Sequence, residues 1–370
     1  MAKGMWIGVG SVAKKVGKMY IGVGGIARKI KKAWIGVNGV ARLFYSSGYQ
    51  YNGALTMGLS YVISYGIAGG ATADYILFAG GEDGSRNYFD TVNAFNSSCT
   101  RTIATSLPDT TSRFAGVNHQ GYVVFAGGLG PYKSTVTKYD NALTKSSCSA
   151  LTDKIADLNG ASNGPYMILG GGVYSTSYKN NVIAYNSSFT KSTASSSTHG
   201  SDYAVASLNG RVILAGGRGY SGATYSEVTA YDTSLTKTTL TNLSGSNATG
   251  GGITNYSSKA PYAIFEAVSG TFDVYNSSFT KSTAVSHLTG TDNGSGLNIA
   301  LFGDSYLMFG GTYRQSIMYT YSSSLVRQES ITLNEYCNSS PPYGILHESL
   351  MLFANSPLSA ETSSVYKFTA

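Results

Sequence analysis

Short apolar runs that end in a glycine pair recur along the chain at intervals of 44 to 51 residues. The clearest copies read YILFAGG, YVVFAGG, YMILGGG and RVILAGG, and they begin at Tyr75, Tyr122, Tyr166 and Arg211. Weaker copies begin at Tyr262, Tyr306 and Leu350. A self-similar period of this size predicts a repeat fold, because each unit needs its neighbours to bury its apolar face.

A second apolar run follows each copy and ends at an aromatic residue, with a spacing of 44 to 47 residues. These residues are Phe95, Tyr139, Tyr185, Tyr231, Tyr275, Tyr321 and Phe368. Most stand before Asn or Asp and a turn, as in YDNALTK from Tyr139 and YNSSFTK from Tyr185. Asn, Asp and Ser favour turns because their side chains bond nearby backbone groups. Short runs separated by turns predict an all-β protein.

Each repeat reads as four strands, of which the second ends at the glycine pair and the third at the periodic aromatic residue. Seven copies of strands one to three occur, but only six of strand four, since the sequence ends at Ala370. We expect residues 53–56 to supply the missing strand from the N-terminal side. This closes a ring and leaves no exposed sheet edge. The sequence therefore predicts a seven-bladed β-propeller over residues 46–370.

Residues 5–44 carry a shorter repeat of 14 residues, which reads WIGVGSVAKKVGKM, YIGVGGIARKIKKA and WIGVNGVARLFY. Asn-Gly and Gly-Gly steps favour two-residue hairpin turns, so each copy is predicted to form a hairpin; in the first, Trp6 faces Lys15 and Val9 faces Val12. A hairpin of this size is marginal by itself in water. Residues 1–45 are therefore expected to form an attachment or oligomerisation module; the alternative is a small sheet packed on the main domain. The residues expected to carry this contact are Trp6, Ile7, Tyr20, Ile21, Trp34 and Ile35.

Both repeats resemble known families. The glycine pair, the periodic aromatic residue and the Tyr-Asp/Asn-x-x-Leu/Phe-Thr-Lys turn resemble Kelch repeats over about 300 residues. The chain departs from that pattern because it lacks the Trp of strand four and loses the glycine pair at Glu266-Ala267 and Asn355-Ser356. The N-terminal repeats resemble those of tail-associated proteins in phages and prophages of gut Firmicutes. That resemblance implies a virion component whose N-terminus attaches it to the tail.

Charge is concentrated at the N-terminus. Nine of the 26 Lys and Arg residues lie among the first 44 residues, which contain no Asp or Glu, and the rest of the chain holds 17 basic and 19 acidic residues. A nucleic-acid surface needs a basic patch on the folded body, so no nucleic-acid partner is expected.

No run of 18 apolar residues occurs, so no membrane insertion is expected. No signal peptide is visible at the basic N-terminus.

Ligand binding is predicted for the loops between strands two and three, residues 82–90, 129–134, 173–180, 218–227, 269–270, 313–315 and 356–361. In a Kelch-like propeller these loops share one face with the connections from strand four to strand one. The candidate ligand-binding residues are Arg86, Tyr88, Tyr132, Lys133, Tyr178, Lys179, Arg218, Tyr220, Tyr225, Tyr313 and Arg314. Tyr with Ser, Gly and Asn gives contact area and adaptable hydrogen bonding. Tyr also stacks on sugar rings, while Arg and Lys donate to hydroxyl or anionic groups.

No catalytic motif is recognisable in the sequence. His119, His199, His287 and His347 fall at unrelated points of the repeat, and Cys99, Cys148 and Cys337 follow no metal-binding spacing. The loop carboxylates include Glu82 and Asp90, but no spacing selects a pair at the distance that a glycosidase needs. We therefore expect no catalytic residue, no metal and no cofactor, and we expect that the protein is not an enzyme.

The resulting prediction is a phage tail protein of the fibre or receptor-binding type, made in the bacterial cytoplasm and located in the virion. Its expected partners are other virion or tail proteins through residues 1–45, a bacterial surface glycan or protein, and copies of itself, by analogy with tail fibres as a trimer. Three alternatives stay open: a ligand-free structural or decoration protein of the virion, an enzyme that degrades surface polysaccharide, and a cellular Kelch-type interaction module.

Overall fold

The computed structural model describes residues 66–245 without 84, 199, 202 and 220–222, residues 262–265 and 272–282, and elsewhere the backbone of the strands given below. The regular elements of these residues are β-strands, which confirms the all-β prediction. The same residues include no helix with the length and apolarity of a membrane span. The chain divides into two compact units, Met1–Asn52 with Phe368–Ala370, and Gly53–Lys367.

The first unit contains hairpins that follow the 14-residue period of the sequence. The hairpins are formed by β1 (Trp6–Val9) with β2 (Val12–Lys15), β3 (Tyr20–Val23) with β4 (Ile26–Lys29), and β5 (Lys32–Val37) with β6 (Val40–Ser46). In β1 and β2, Trp6 lies opposite Lys15 and Val9 opposite Val12, which confirms the predicted register. The six side chains expected to carry attachment lie outside the described residues, so their role stays a prediction.

The described strands of the remaining chain form seven sheets, numbered here in sequence order. Sheet 1 contains β8 (Ala68–Ala71), β9 (Tyr75–Ala79), β10 (Val92–Asn96) and β11 (Arg101–Ala104). Sheet 2 contains β12 (Ala115–His119), β13 (Tyr122–Ala126), β14 (Val136–Tyr139) and β15 (Lys145–Ser147). Sheet 3 contains β16 (Asn159–Ser162), β17 (Tyr166–Gly170), β20 (Val182–Asn186) and β21 (Lys191–Ala194), and its loop holds a short hairpin of β18 (Val173–Tyr174) and β19 (Ser177–Tyr178).

Sheet 4 contains β22 (Ala204–Leu208), β23 (Arg211–Ala215), β24 (Val228–Tyr231) and β25 (Lys237–Leu240), and sheet 5 contains β26 (Tyr262–Glu266), β27 (Phe272–Asn276) and β28 (Lys281–Thr283). Sheet 6 contains β29 (Asn298–Phe302), β30 (Ser305–Phe309), β31 (Gln315–Ser322) and β32 (Arg327–Cys337). Sheet 7 contains β33 (Tyr343–His347), β34 (Leu350–Asn355), β35 (Ser364–Thr369) and β7 (Gln50–Thr56), in that order. Successive strands pair as antiparallel neighbours, as in β12 with β13 and β13 with β14.

The apolar core of sheets 1 to 5 lies between consecutive sheets. Among the described residues, four buried clusters join Leu77 to Phe125, Val124 to Leu169, Ile168 to Leu214, and Ile213 to Phe265. Neighbouring residues of β13 and β17 therefore face different clusters, and both sides of these sheets are covered. This explains why strand two reads as a continuous apolar run instead of an alternating one.

The periodic tyrosine and the lysine six residues after it connect each sheet to the preceding one. The Tyr185 hydroxyl donates to the carbonyl of Ser149 at 2.7 Å, and Lys191 Nζ donates to the carbonyl of Ala150 at 2.8 Å. The same two bonds recur at Tyr139 and Lys145, Tyr231 and Lys237, and Tyr275 and Lys281. Burial raises the pKa of these four tyrosines, which keeps their hydroxyls as neutral donors. The tyrosine and the lysine of the repeated turn motif thus form a contact between neighbouring sheets.

The turn within this motif is built by its Asp or Asn. Asp140 Oδ1 accepts the backbone N–H groups of Ala142 and Thr144 at 2.9 and 2.8 Å. Leu143, between them, adopts a positive φ of 61°. Asn186 forms the same pair of bonds in sheet 3. The predicted role of Asp and Asn in the turn is therefore confirmed.

Candidate functional site

Tyrosine rings connect the loops between the second and third strands of sheets 1 to 3. The ring of Tyr88 packs against Gly130, where a methyl group on the glycine Cα would lie only 2.6 Å from Cγ of the ring. The ring of Tyr132 contacts that of Tyr174, with centroids 5.0 Å apart. These loops therefore form one continuous surface, and the aromatic residues predicted for it lie at its contacts.

The third of these loops contains a hairpin that the sequence did not indicate. Its strands β18 and β19 pair Val173 with Tyr178 and Tyr174 with Ser177. The turn between them places Ser175 at a φ of 56°. The hairpin leaves Tyr174 48% exposed and places Tyr178 against Gly200, in the connection from sheet 3 to sheet 4.

A cleft of about 500 Å³ lies between the loops of sheets 3 and 4, and we call it the tyrosine cleft. The described residues that line it are Thr176, Ser177, Tyr178, Asn180, Thr198, Gly200, Gly219 and Tyr225. Its volume falls within the range of small-molecule sites. The structure thus brings together Tyr178 and Tyr225, two of the predicted residues, from different sheets.

Sequence reasoning missed the other residues of the cleft. Thr198 and Gly200 lie in the connection from sheet 3 to sheet 4, which the sequence analysis placed on the same face but did not search for ligand contacts. Thr176, Ser177 and Asn180 belong to a predicted loop, although only its tyrosine and lysine were selected. The signal that could have found them is the run of small polar residues around each tyrosine.

The remaining candidates that the structure describes do not line the tyrosine cleft. Lys133 Nζ stands 3.3 Å from Asp109 Oδ1, and its side chain is 15% exposed. Arg86 is exposed and has a φ of 63° in a turn held by Asp83. Lys179 and Arg218 are half-buried beside the cleft. Tyr220, Tyr313 and Arg314 lie outside the described residues.

The turn at Arg86 is a local structure. Asp83 accepts hydrogen bonds from the backbone N–H groups of Ser85 and Asn87 and from the Asn87 side chain, at 2.7 to 2.9 Å. The bond from the Asn87 side chain, followed by that from its backbone, lowers the pKa of Asp83. The Asp83 carboxylate therefore stabilises the turn that contains Arg86.

His119 is a buried structural residue at the end of β12. Its Nδ1 lies 2.9 Å from the Ser162 hydroxyl and its Nε2 lies 3.1 Å from the Asn186 carbonyl oxygen, to which Nε2–H donates. Its ring packs edge-on against Phe189, with centroids 5.4 Å apart. Burial lowers the pKa of His119, and the bond to Asn186 opposes this effect. Among the described residues, His, Cys, Asp and Glu form no cluster of three that could hold a metal ion.

Glu82 is buried at the start of the loop of sheet 1. Its side chain is 1% exposed, and within the described part of the chain neither carboxylate oxygen accepts a hydrogen bond. Leu129 and Val173 occupy the equivalent position after the glycine pairs of sheets 2 and 3, and Arg218, which is half-buried, occupies it in sheet 4. Burial of a carboxylate without partners is unfavourable, so this position is expected to favour an apolar residue.

Replacement of Glu82 by leucine is expected to raise the free energy of unfolding by about 1 to 3 kcal/mol, since it removes an uncompensated buried polar group. Chemical denaturation at pH 7 measures the change. Glu82→Gln is the matched control, because it removes the charge but keeps the polar end, and we expect it to stabilise less. A leucine variant less stable than the natural protein would show that the carboxylate is held by a favourable interaction.

Solved structures match the chain over most of its length, whereas no protein-family model and no curated protein matches it. One is selenomethionine-substituted virginiamycin B lyase from Staphylococcus aureus, with 10% identity and a TM-score of 0.59, covering 87% of this chain and 100% of the lyase chain. A streptogramin B lyase has 9% identity and a TM-score of 0.60, with 87% and 97% covered. YjhT has 11% identity and a TM-score of 0.53, with 84% and 96% covered.

These comparisons correct one prediction made from the sequence. The expectation that the protein is not an enzyme is overturned, because the chain shares its fold with virginiamycin B and streptogramin B lyases. The lack of a recognisable motif was therefore an insufficient reason to exclude catalysis. At about 10% identity the likeness concerns the fold and does not carry the lyase activity to this chain. Since those lyases are β-propeller proteins, the chain has a fold of the β-propeller type.

Proposed function

We propose that the protein is a phage tail component of the receptor-binding type, which attaches to the virion through residues 1–45 and binds a saccharide of the bacterial surface. The observation that carries the proposal is the tyrosine cleft, where Tyr178 and Tyr225 meet among hydroxyl and amide side chains. Aromatic faces bind the apolar side of sugar rings, and the polar groups around them bind the hydroxyls. The exposed ring of Tyr174 extends this surface toward Tyr132.

The binding proposal predicts that Tyr178→Ala and Tyr225→Ala each weaken attachment to host cells by about tenfold or more, which corresponds to about 1.4 kcal/mol. The measurement is a whole-cell binding titration with the labelled full chain. Ile103→Ala is the matched control, because Ile103 is an exposed apolar residue on β11, outside the cleft. Unchanged binding by both tyrosine variants would exclude the cleft as the binding site.

We also propose that the seven sheets are the blades of one closed, Kelch-like propeller, with β7 as the outer strand of the last blade. The strand order of sheet 7 supports this proposal. Contacts between first strands support it too, since β33 contacts β8, β8 contacts β12, β12 contacts β16, and β16 contacts β22. A closed ring covers the sheet edges that a linear array would expose.

Closure predicts different outcomes for two truncations. Deletion of residues 1–45 leaves β7 intact and is expected to preserve the midpoint of thermal unfolding. Deletion of residues 1–56 removes β7 and is expected to lower that midpoint by about 5 °C or more. Equal midpoints for the two truncations would contradict closure by β7. We further propose that residues 1–45 assemble the protein into a trimer. Light scattering on the full chain and on the chain without residues 1–45 tests this proposal.

A second candidate is an enzyme that degrades the surface polysaccharide. The observation that favours it is the likeness in fold to two lyases. Incubation of the full chain with purified host capsule, followed by assays for new reducing ends and for shortened chains, distinguishes cleavage from binding. Capsule that keeps its length while it binds the protein would contradict this candidate.

A further inference from the structure

We propose that the tyrosine cleft selects an uncharged, hydroxyl-rich saccharide over an acidic one. This inference rests on the proposed function and deepens it, because it names the class of ligand that the same cleft takes. The sequence left this choice open, since it predicted tyrosines together with Arg and Lys residues that could serve hydroxyl or anionic groups. The structure places two of these tyrosines in the lining of the cleft and leaves the described Arg and Lys residues out of that lining, with Lys179 and Arg218 beside it.

The polar side chains of the described residues that line the cleft are neutral. Thr176, Ser177 and Thr198 offer hydroxyl groups, and Asn180 offers an amide. Within the described residues, these four side chains form no hydrogen bond with another protein group, and Asn180 bonds to Ser197 only through its backbone carbonyl. They can therefore pair with the hydroxyl groups of a sugar, each of which donates and accepts.

The predicted basic residues that the structure describes on this face do not line the cleft. Lys133 belongs to the preceding loop and pairs with Asp109. Lys179 lies between Tyr178 and Asn180 in the chain, but it is not among the described residues that line the cleft. Among the described residues no cation lines the cleft, so a sugar carboxylate bound there would lose water without a lining cation as its partner. A neutral sugar avoids this loss.

Two glycines contact the tyrosines of the cleft. A methyl group on Gly219 would lie 2.5 Å from Cε2 of Tyr225, and one on Gly200 would lie 2.5 Å from Cβ of Tyr178. The ring of Tyr225 and the Cβ of Tyr178 therefore pack directly on glycine, which restricts the motion of the Tyr225 ring before a ligand arrives. A preorganised aromatic face loses little side-chain entropy on binding. It suits the C–H face of a neutral sugar ring, which has no charge to orient it.

The test is an array that pairs neutral oligosaccharides with counterparts carrying uronic or sialic acid, probed with the full chain at about 0.05 M and about 0.5 M NaCl. We expect neutral glycans to bind, with a change of less than about twofold between the two salt concentrations, since no ion pair is screened. Tyr225→Ala should weaken this binding by about tenfold or more. Asn180→Lys places a cation in the cleft and should gain binding to the acidic counterparts.

The outcomes distinguish this inference from the proposed function. One outcome is preferential binding of acidic glycans, weakened about tenfold at high salt and lost in Tyr225→Ala. It would overturn the inference that the ligand is a neutral saccharide, but leave saccharide binding at the cleft intact. Binding of neutral glycans that Tyr225→Ala and Tyr178→Ala leave unchanged would overturn the assignment to the cleft. Absence of binding to every glycan, with unchanged attachment of both variants to cells, would overturn both proposals.

Discussion

Replacement of Tyr185 by alanine is expected to lower the free energy of unfolding by about 3 to 5 kcal/mol, the range found for deletion of a buried aromatic side chain. Tyr185 is 0% exposed and belongs to the cluster between sheets 2 and 3. The substitution leaves a cavity at this contact and removes the hydroxyl that donates to Ser149. Chemical denaturation followed by tyrosine fluorescence measures the loss.

Two companion variants divide this effect into its causes. Tyr185→Phe keeps the ring and leaves the Ser149 carbonyl without its donor, so we expect a loss of about 1 to 3 kcal/mol. Ile103→Ala deletes an apolar side chain that is 60% exposed, and we expect a change within about 0.5 kcal/mol. If Tyr185→Ala cost no more than Ile103→Ala, the periodic aromatic residue would not be what holds neighbouring sheets together.

Replacement of Gly128 by alanine is expected to cost about 2 to 5 kcal/mol, through backbone strain and overpacking together. Gly128 has a φ of 123°, and a methyl group on its Cα would lie 1.9 Å from Thr111 Oγ1. Its N–H donates to the carbonyl of Ile155 at 2.7 Å, in the connection to sheet 3. A shift that relieved the clash would therefore disturb a second sheet. The change in the midpoint of denaturation is the measurement.

Gly121→Ala is the matched control for this substitution. Gly121 also has a positive φ, of 78°, but no heavy atom lies within 4 Å of the position that its Cβ would take. We expect a cost of about 1 to 2 kcal/mol, from the left-handed conformation alone. Equal losses in the two alanine variants would show that close packing at the glycine pair contributes nothing.

The strands were predictable because their signals are local. A turn at Gly10-Ser11 sets the pairing of Trp6 with Lys15, and the structure has this register. The periodic tyrosine was predictable as a packing residue, because its spacing follows the repeat. The hydrogen bond from Lys191 to Ala150 was not predictable, since it joins groups 41 residues apart, one in sheet 3 and the other in the connection that follows sheet 2.

The tyrosine cleft was predictable only in part. Tyr178 and Tyr225 were selected by residue type and loop position, but their meeting depends on how sheets 3 and 4 pack. The hairpin of β18 and β19 left no signal, because a pairing of two residues is too short to show a period. Lys133 was predicted to bind a ligand, because its position in the sequence could not reveal that it pairs with Asp109.

The sequence by itself determined the all-β class, the repeat and the register of the first hairpin, because each depends on residue spacing within one unit. The tertiary structure alone decided which loop residues share a cleft, which cations are paired, and that Glu82 is buried without a hydrogen bond from the described residues. These features arise where different sheets or loops meet. Contacts of that kind follow from packing in three dimensions, which no local pattern records.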